Sequence, residues 1–75
     1  MNQMSNLRAM REEALTDRRR KFLAFFPSGP RNGSFLDPAL GLILVDGFDG
    51  FFKLSDLNPE TISAIWLEEK PDEPK

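Results

Sequence analysis

The sequence contains no cysteine and no histidine. Without cysteine the chain can form neither a disulfide nor a thiolate metal site. The missing histidine removes the usual neutral zinc ligand and the only side chain that titrates near neutrality when unperturbed. Glycine-rich phosphate-binding motifs are also missing. These absences predict no metal, no cofactor and no nucleophilic catalysis. The residues leave open a carboxylate pair for acid–base work, but a domain this small rarely builds the enclosed pocket that such work needs, so we expect a protein that is not an enzyme.

Long hydrophobic runs are missing as well. No apolar run approaches the roughly 20 residues that a membrane helix needs. The N-terminus does not show the basic and then apolar order of a signal peptide. We therefore expect a soluble, cytoplasmic protein that does not contact a membrane.

The chain is short, with 75 residues, and can form one domain at most. A domain of this size buries only about 60% of the surface that its unfolded chain exposes. Seven phenylalanines and one tryptophan still supply material for a small core. Stability must come from apolar packing or from a partner, because no disulfide or metal can add to it.

Charge is divided unevenly along the chain. Residues 1–31 contain seven basic and three acidic residues, a net charge of +4. Residues 32–75 contain three basic and nine acidic residues, a net charge of −6. A basic arm followed by an acidic body is typical of a protein that docks onto a macromolecule.

The basic N-terminal part is predicted to be helical. Residues 1–21 are rich in good helix formers, and Ser5 can act as the N-cap. Leu7, Met10, Ala14 and Leu15 lie near one side of this helix, but the apolar stripe is thin. The helix is therefore expected to be marginal by itself, and whether it is ordered or mobile in the free protein stays open.

The segment after the basic run has the character of a strand. Residues 21–27 (KFLAFFP) are densely apolar and end in proline. Residues 28–34 are predicted to be a loop, in which Asn32-Gly33 forms a tight turn with positive φ.

A β-hairpin is predicted further along, with residues 40–45 pairing with residues 51–56 around a turn at 46–50. Residues 59–69 give conflicting signals. Asn58-Pro59 resembles a helix start, whereas the β-branched residues that follow favour a strand. We favour a third strand of a meander, because three strands can share one apolar face.

The predicted fold class is α+β, with an N-terminal helix and a small antiparallel sheet of three or four strands. The predicted organisation is a basic helical arm at 1–21, a small β-rich domain at 22–69 and a disordered tail at 70–75.

The basic run Arg18–Lys21 is the sharpest local feature. Four adjacent cations can contact an acidic groove or phosphates, and the following phenylalanines can add apolar contact. The alternative is a solvated cluster that pairs with acidic residues of the same chain. Leu7, Met10 and Arg11 could likewise grip a partner or pack on the chain's own sheet. The predicted partner-binding residues are Leu7, Met10, Arg11, Arg18, Arg19, Arg20, Lys21 and Phe22.

Three further groups have plainer interpretations. Asp46, Asp49 and Asp56 do not match the spacing of a calcium-binding loop and are predicted to be turn residues. Phe48 lies at a turn and is either a binding anchor or part of the core. The remaining aromatic group is predicted to be core: Phe51, Phe52 and Trp66.

In its overall character the chain resembles the small host-takeover proteins that bacteriophages encode to bind bacterial RNA polymerase. The resemblance is carried by the arginine-rich stretch LRAMREEALTDRRRKF, the body without cysteine or histidine, and the compact acidic remainder. It implies a monomer in the host cytoplasm that binds a polymerase subunit stoichiometrically. Such binding would inhibit initiation or alter termination, including anti-termination.

Two other hypotheses stay open. The same cations could bind nucleic acid, with Phe25 or Phe48 as a stacking platform, although the acidic body would repel phosphate. Alternatively, the chain could be a homo-oligomer or a phage structural part, in which the basic arm of one copy lies on the acidic body of the next.

Overall fold

A computed structural model describes residues 5–67 of the chain. The predicted tail at 70–75 and the first four residues of the predicted helix lie outside the described residues. The elements, in chain order, are β1 (Ser5–Asn6), α1 (Leu7–Asp17), β2 (Lys21–Phe26), β3 (Gly29–Asp37), β4 (Leu42–Val45), β5 (Phe51–Lys53), a 3₁₀ turn (Leu54–Asp56) and β6 (Ser63–Trp66). The α+β class is confirmed.

The strands form one antiparallel sheet in the order β1-β6-β2-β3-β4-β5. Because β1 has only two residues, the body of the sheet has five strands, where three or four were expected. Strand β6 confirms the strand interpretation of residues 59–69 over the helical one. Its predicted place in a meander was wrong, since β6 pairs with β2 and not with β5. As an interior strand, β6 packs Ala64, which is buried, beside Ala24, and Ile65, which is half-buried, beside Leu23.

Helix α1 is shorter than the predicted range of 1–21, and its cap is not Ser5. The N-cap is Asn6, whose side-chain oxygen accepts a hydrogen bond of 2.9 Å from the backbone N–H of Ala9. The helix ends at Asp17, and Arg18 follows in the left-handed conformation with φ of 65°. A left-handed residue at this position reverses the chain and brings it back into β2.

The helix covers one face of the sheet. Leu7, Met10 and Ala14 are buried and belong to the same core as Phe22 of β2 and Ile43 of β4. The segment expected to be a separate basic arm therefore shares its core with the sheet. The remaining buried apolar residues are Ala24, Phe35, Val45, Leu54, Ile62 and Ala64.

The predicted loop at 28–34 was wrong. Strand β3 runs through it, so that Asn32 pairs with Leu23 and Gly33 pairs with Phe22. The chain reverses earlier, at Pro27-Ser28. Glycine at position 33 serves close packing and not a turn, because a Cβ atom there would lie 2.6 Å from Cε1 of the buried Phe22 ring.

The predicted hairpin is confirmed with tighter bounds, as β4 pairs with β5. Residues 46–50 form its turn, and Gly47 and Gly50 have φ of 92° and 74° there. These values lie in the region that favours glycine. Residues 54–56, predicted as the end of the second strand, form the 3₁₀ turn instead.

The space above Gly33 gives a first prediction. Gly33→Ala would press its methyl group into the Phe22 ring and against the backbone oxygen of Leu44, 2.9 Å away. Overpacking of this kind should lower the free energy of unfolding by about 1–3 kcal/mol, measured by chemical denaturation. Asn32→Ala is the control, because Asn32 is exposed on the other face. Equal stability of the two variants would contradict this account of Gly33.

Candidate functional site

Arg19 links the C-terminal end of α1 to Trp66 of β6. Its Nη2 lies 3.0 Å from Oδ2 of Asp17 and 3.4 Å from Oε1 of Glu13. The guanidinium carbon also lies 4.8 Å from the centre of the Trp66 ring. Trp66 completes the link by donating a hydrogen bond of 2.8 Å from Nε1 to Oε1 of Glu13. We call these four residues the Arg19 cluster.

Two other arginines also serve the fold. The Nη1 of Arg20 donates hydrogen bonds of 3.1 Å each to the backbone oxygens of Ala14 and Arg19. Arg11 donates from Nε and Nη2 to the backbone oxygens of Pro38 and Ala39, at 2.6 and 2.9 Å. These contacts hold α1 to its own C-terminal turn and to the β3–β4 connection, so much of the basic character of the N-terminal part is used inside the molecule.

The predicted partner-binding set is therefore corrected in part. Leu7, Met10 and Phe22 are fully buried and cannot contact a partner while the domain is folded. Arg11, Arg19 and Arg20 are half-buried in the contacts just described. Only two members of the set lie exposed on the surface: Arg18 and Lys21.

The division between a basic arm and an acidic body also changes in three dimensions. Arg8 of the helix lies 2.8 Å from Glu60 of the second half, in an exposed ion pair. Residues 5–67 together contain eight basic and eight acidic residues, a net charge of zero. The whole-chain charge of −2 therefore comes from residues outside this range. The described residues therefore carry no net positive charge that would attract phosphate to the domain as a whole.

The surface that sequence reasoning missed is the side of the sheet opposite α1, which we call the open face. Its register places Leu23 beside Ile65, and Leu44 beside Phe51. Alternation along each strand turns these side chains away from the helix. The large apolar residues of the open face are Leu23, Phe25, Leu44, Phe51, Ile65 and Leu67.

A shallow groove of about 570 Å³ crosses the open face. The small residues of β3, Asn32 to Ser34, line it between Leu44 on one side and Leu67 with Lys21 on the other. The turn at 46–50 closes one end. The groove therefore combines apolar side walls with polar groups between them, and such a mixture is found at protein-binding surfaces.

The prediction that Phe51, Phe52 and Trp66 belong to the core is correct for two of the three residues. Phe51 is 54% exposed, so its expected place in the core was wrong. Phe52 and Trp66 are half-buried and pack against the core, as expected. Phe48 combines its two alternatives, because its ring is about half exposed and also packs edge-on against Phe52 with centroids 5.4 Å apart. Arg31 stacks over the same Phe48 ring at 4.8 Å.

Within residues 5–67, no group of acidic, histidine or cysteine side chains is placed to hold a metal ion. In the same part of the chain, no helix has the length and hydropathy to cross a membrane. No protein family matches the sequence, and neither a curated protein nor a solved structure is significantly similar to it. Function must therefore be inferred from the surface itself.

The Arg19 cluster gives the second prediction. Arg19→Glu would place a third carboxylate beside Glu13 and Asp17 and remove the cation from Trp66. We expect the free energy of unfolding to fall by about 1–3 kcal/mol. The control is Arg18→Glu, the same charge reversal one position away on an exposed side chain, which should cost less than about 1 kcal/mol through the helix dipole. Similar denaturation midpoints for both variants would show that the cluster does not stabilise the fold.

The left-handed backbone at Arg18 gives the third prediction. Arg18→Gly should raise the free energy of unfolding by about 1 kcal/mol, because glycine adopts this conformation without steric cost. Arg18→Ala removes the same charge and keeps the strained Cβ, so it should give no gain. Thermal unfolding of both variants separates the two causes, and an equal gain would assign the effect to charge.

Proposed function

We propose that this chain is a non-enzymatic regulator that acts by binding another protein through the open face of its sheet. The observation that carries the proposal is the apolar composition of that face. Antiparallel sheets in small domains commonly bury one face and present a polar one to water. Within residues 5–67 both faces carry apolar residues, while the one helix of that range covers only one face.

The apolar groups on the open face lie on both sides of the polar residues of β3. Leu67 lies in the row of Leu44 and Phe51, with Ser34 and Lys21 between them. Leu23 and Ile65 lie in the next row. Exposed apolar surface of this extent, combined with polar groups, is characteristic of interaction sites. The basic run is assigned a smaller part than the sequence predicted, in which exposed Lys21 within this face and exposed Arg18 steer the partner.

The resemblance of the sequence to phage regulators makes bacterial RNA polymerase the partner to test first. A 75-residue chain can cover a surface of roughly 800 Å², the share of one protein in a standard interface. Binding to such an area on a polymerase subunit could block an adjacent site without any chemistry in the small protein. Nucleic-acid binding is the alternative that the same experiment addresses.

The fourth prediction tests this function. A tagged chain is used to retrieve partners from bacterial lysate, with and without nuclease, and the retained proteins are identified by mass spectrometry. Leu67→Glu should reduce retention at least about tenfold, because a charge on the apolar face must be buried without a partner. Leu15→Glu is the matched control, since Leu15 on the helix is 49% exposed and Leu67 is 51% exposed.

A polymerase subunit that survives nuclease and is lost with Leu67→Glu would support the proposal. Loss of every partner after nuclease would favour nucleic acid. Equal retention by the Leu67 and Leu15 variants would contradict the assignment of the open face.

A further inference from the structure

The β4–β5 hairpin has an ordered arrangement of charge on the open face. Its turn holds Asp46 and Asp49, both exposed. Leu44 and Phe51 form a facing pair in its middle, and Lys53 lies at its base, where it pairs with Leu42. Arg31 also reaches the tip, where its Nη1 donates a hydrogen bond of 3.2 Å to the backbone oxygen of Asp46. The hairpin's own residues change from acidic at the tip, through apolar, to basic at the base.

These charges are not used elsewhere in the described part of the chain. No ion pair joins Asp46, Asp49 or Lys53 to another residue between positions 5 and 67. This distinguishes them from Arg8 in α1 and Arg19 just after it, which have acidic partners within 4 Å. Within residues 5–67, the hairpin therefore carries exposed apolar side chains together with acidic and basic side chains that form no ion pair.

Such an arrangement is complementary to itself. In a two-fold symmetric interface the same patch meets its own copy, so residue i contacts residue j and j contacts i. When two hairpins are laid face to face in opposite directions, each basic base meets the acidic tip of the other. The apolar middles then coincide. A patch of one charge sign would repel its copy in the same arrangement.

We propose that two copies of this chain associate through their β4–β5 hairpins, face to face about a two-fold axis. Leu44 and Phe51 meet at the centre, and Lys53 of each copy lies opposite Asp46 and Asp49 of the other. The inference rests on the proposed function in treating the open face as an interface, and names a second copy as the occupant of its β4–β5 half. The same two-fold lays β2 and β6 over their own counterparts, so a different partner would compete with the second copy for the half formed by Leu23, Ile65 and Leu67.

Net charge does not oppose a second copy as the occupant. Residues 5–67 have a net charge of zero and the whole chain has −2, so two copies repel one another only weakly as whole bodies. Two sheets packed face to face also bury apolar residues from both, which adds to the small core that a chain of this length can build.

The test is sedimentation velocity of the full chain over a wide range of protein concentration at low salt. The inference expects a concentration-dependent change from monomer to dimer. Leu44→Glu should weaken association at least about tenfold, because it buries a charge at the centre of the contact. Leu40→Glu is the control, since Leu40 is exposed beside Arg8 and Arg11 on the helix side. A monomer at every concentration, or equal effects of both variants, would overturn the inference.

A charge exchange tests the antiparallel arrangement. Lys53→Glu alone places like charges opposite each other, and so does Asp49→Lys alone, so each variant should dimerise less than the parent. An equimolar mixture should dimerise better than either variant, because the carboxylate introduced at position 53 of one copy then meets the ammonium introduced at position 49 of the other. The native pair of Asp49 and Lys53 is kept at the second contact of that mixed dimer. A mixture no better than the single variants would overturn the proposed arrangement, and circular dichroism melting checks that each variant is folded.

The two proposals fail separately. Lys53→Glu should weaken self-association and leave capture of a partner intact, because Lys53 is not among the residues assigned to the partner contact. Leu67→Glu should reduce capture of a partner whether or not the chain associates with itself. Loss of capture with Leu67→Glu in a chain that stays monomeric would overturn the dimer and support the proposed function. A dimer whose captured partners do not depend on Leu67 would support the dimer and contradict the proposed function.

Discussion

The eleven residues of α1 have a single apolar side, and they cover one of two apolar faces of the sheet. Three residues of the helix enter the core: Leu7, Met10 and Ala14. Arg11 fixes the helix to the β3–β4 connection, and the Arg19 cluster fixes its C-terminal end beside Trp66. The rest of the account follows from this placement, because a second layer that covers one face leaves the other to water or to a partner.

The basic stretch has a different meaning once the fold is known. In the sequence, Arg18–Lys21 stands out as four adjacent cations, and such a run suggests a docking arm. In the structure, Arg19 and Arg20 neutralise carboxylates and satisfy backbone oxygens at the helix end. Helix C-termini favour cations through the helix dipole and through their free carbonyl groups. Stability alone therefore accounts for much of the basic run, and the search for a contact surface moves to the sheet.

Local patterns predicted the elements better than their arrangement. The apolar segments at β2, β4 and β6 were recognisable as strands, and the glycines at 47 and 50 marked a true turn. Asn32-Gly33 misled because the need for glycine came from the ring of Phe22, which approaches from another strand. The position of β6 beside β2 is a long-range pairing that no local signal specifies. The helix boundary at Asn6 was missed by one residue at its cap, since Ser5 and Asn6 are both good caps.

The open face was missed for a different reason. A strand with apolar residues at successive positions, such as FLAFF at 22–26, places apolar side chains on both faces of the sheet. Each face then needs a layer to pack against it. That signal was present in Leu23 and Phe25, but the neighbouring charges drew the assignment toward the arm. One short amphipathic helix cannot cover two apolar faces of a sheet. The single predicted helix therefore already implies that one face has no helix over it.

The central claim is that α1 is a fixed layer of the domain, so that the sheet provides the contact surface. Amide hydrogen exchange of the free protein tests it most directly. The account predicts that the backbone amides of Ala14 and its helical neighbours exchange as slowly as those of β2 and β6, because they open only when the core opens. Exchange of the α1 amides at rates typical of an unfolded peptide, beside a protected sheet, would contradict it and restore the mobile basic arm.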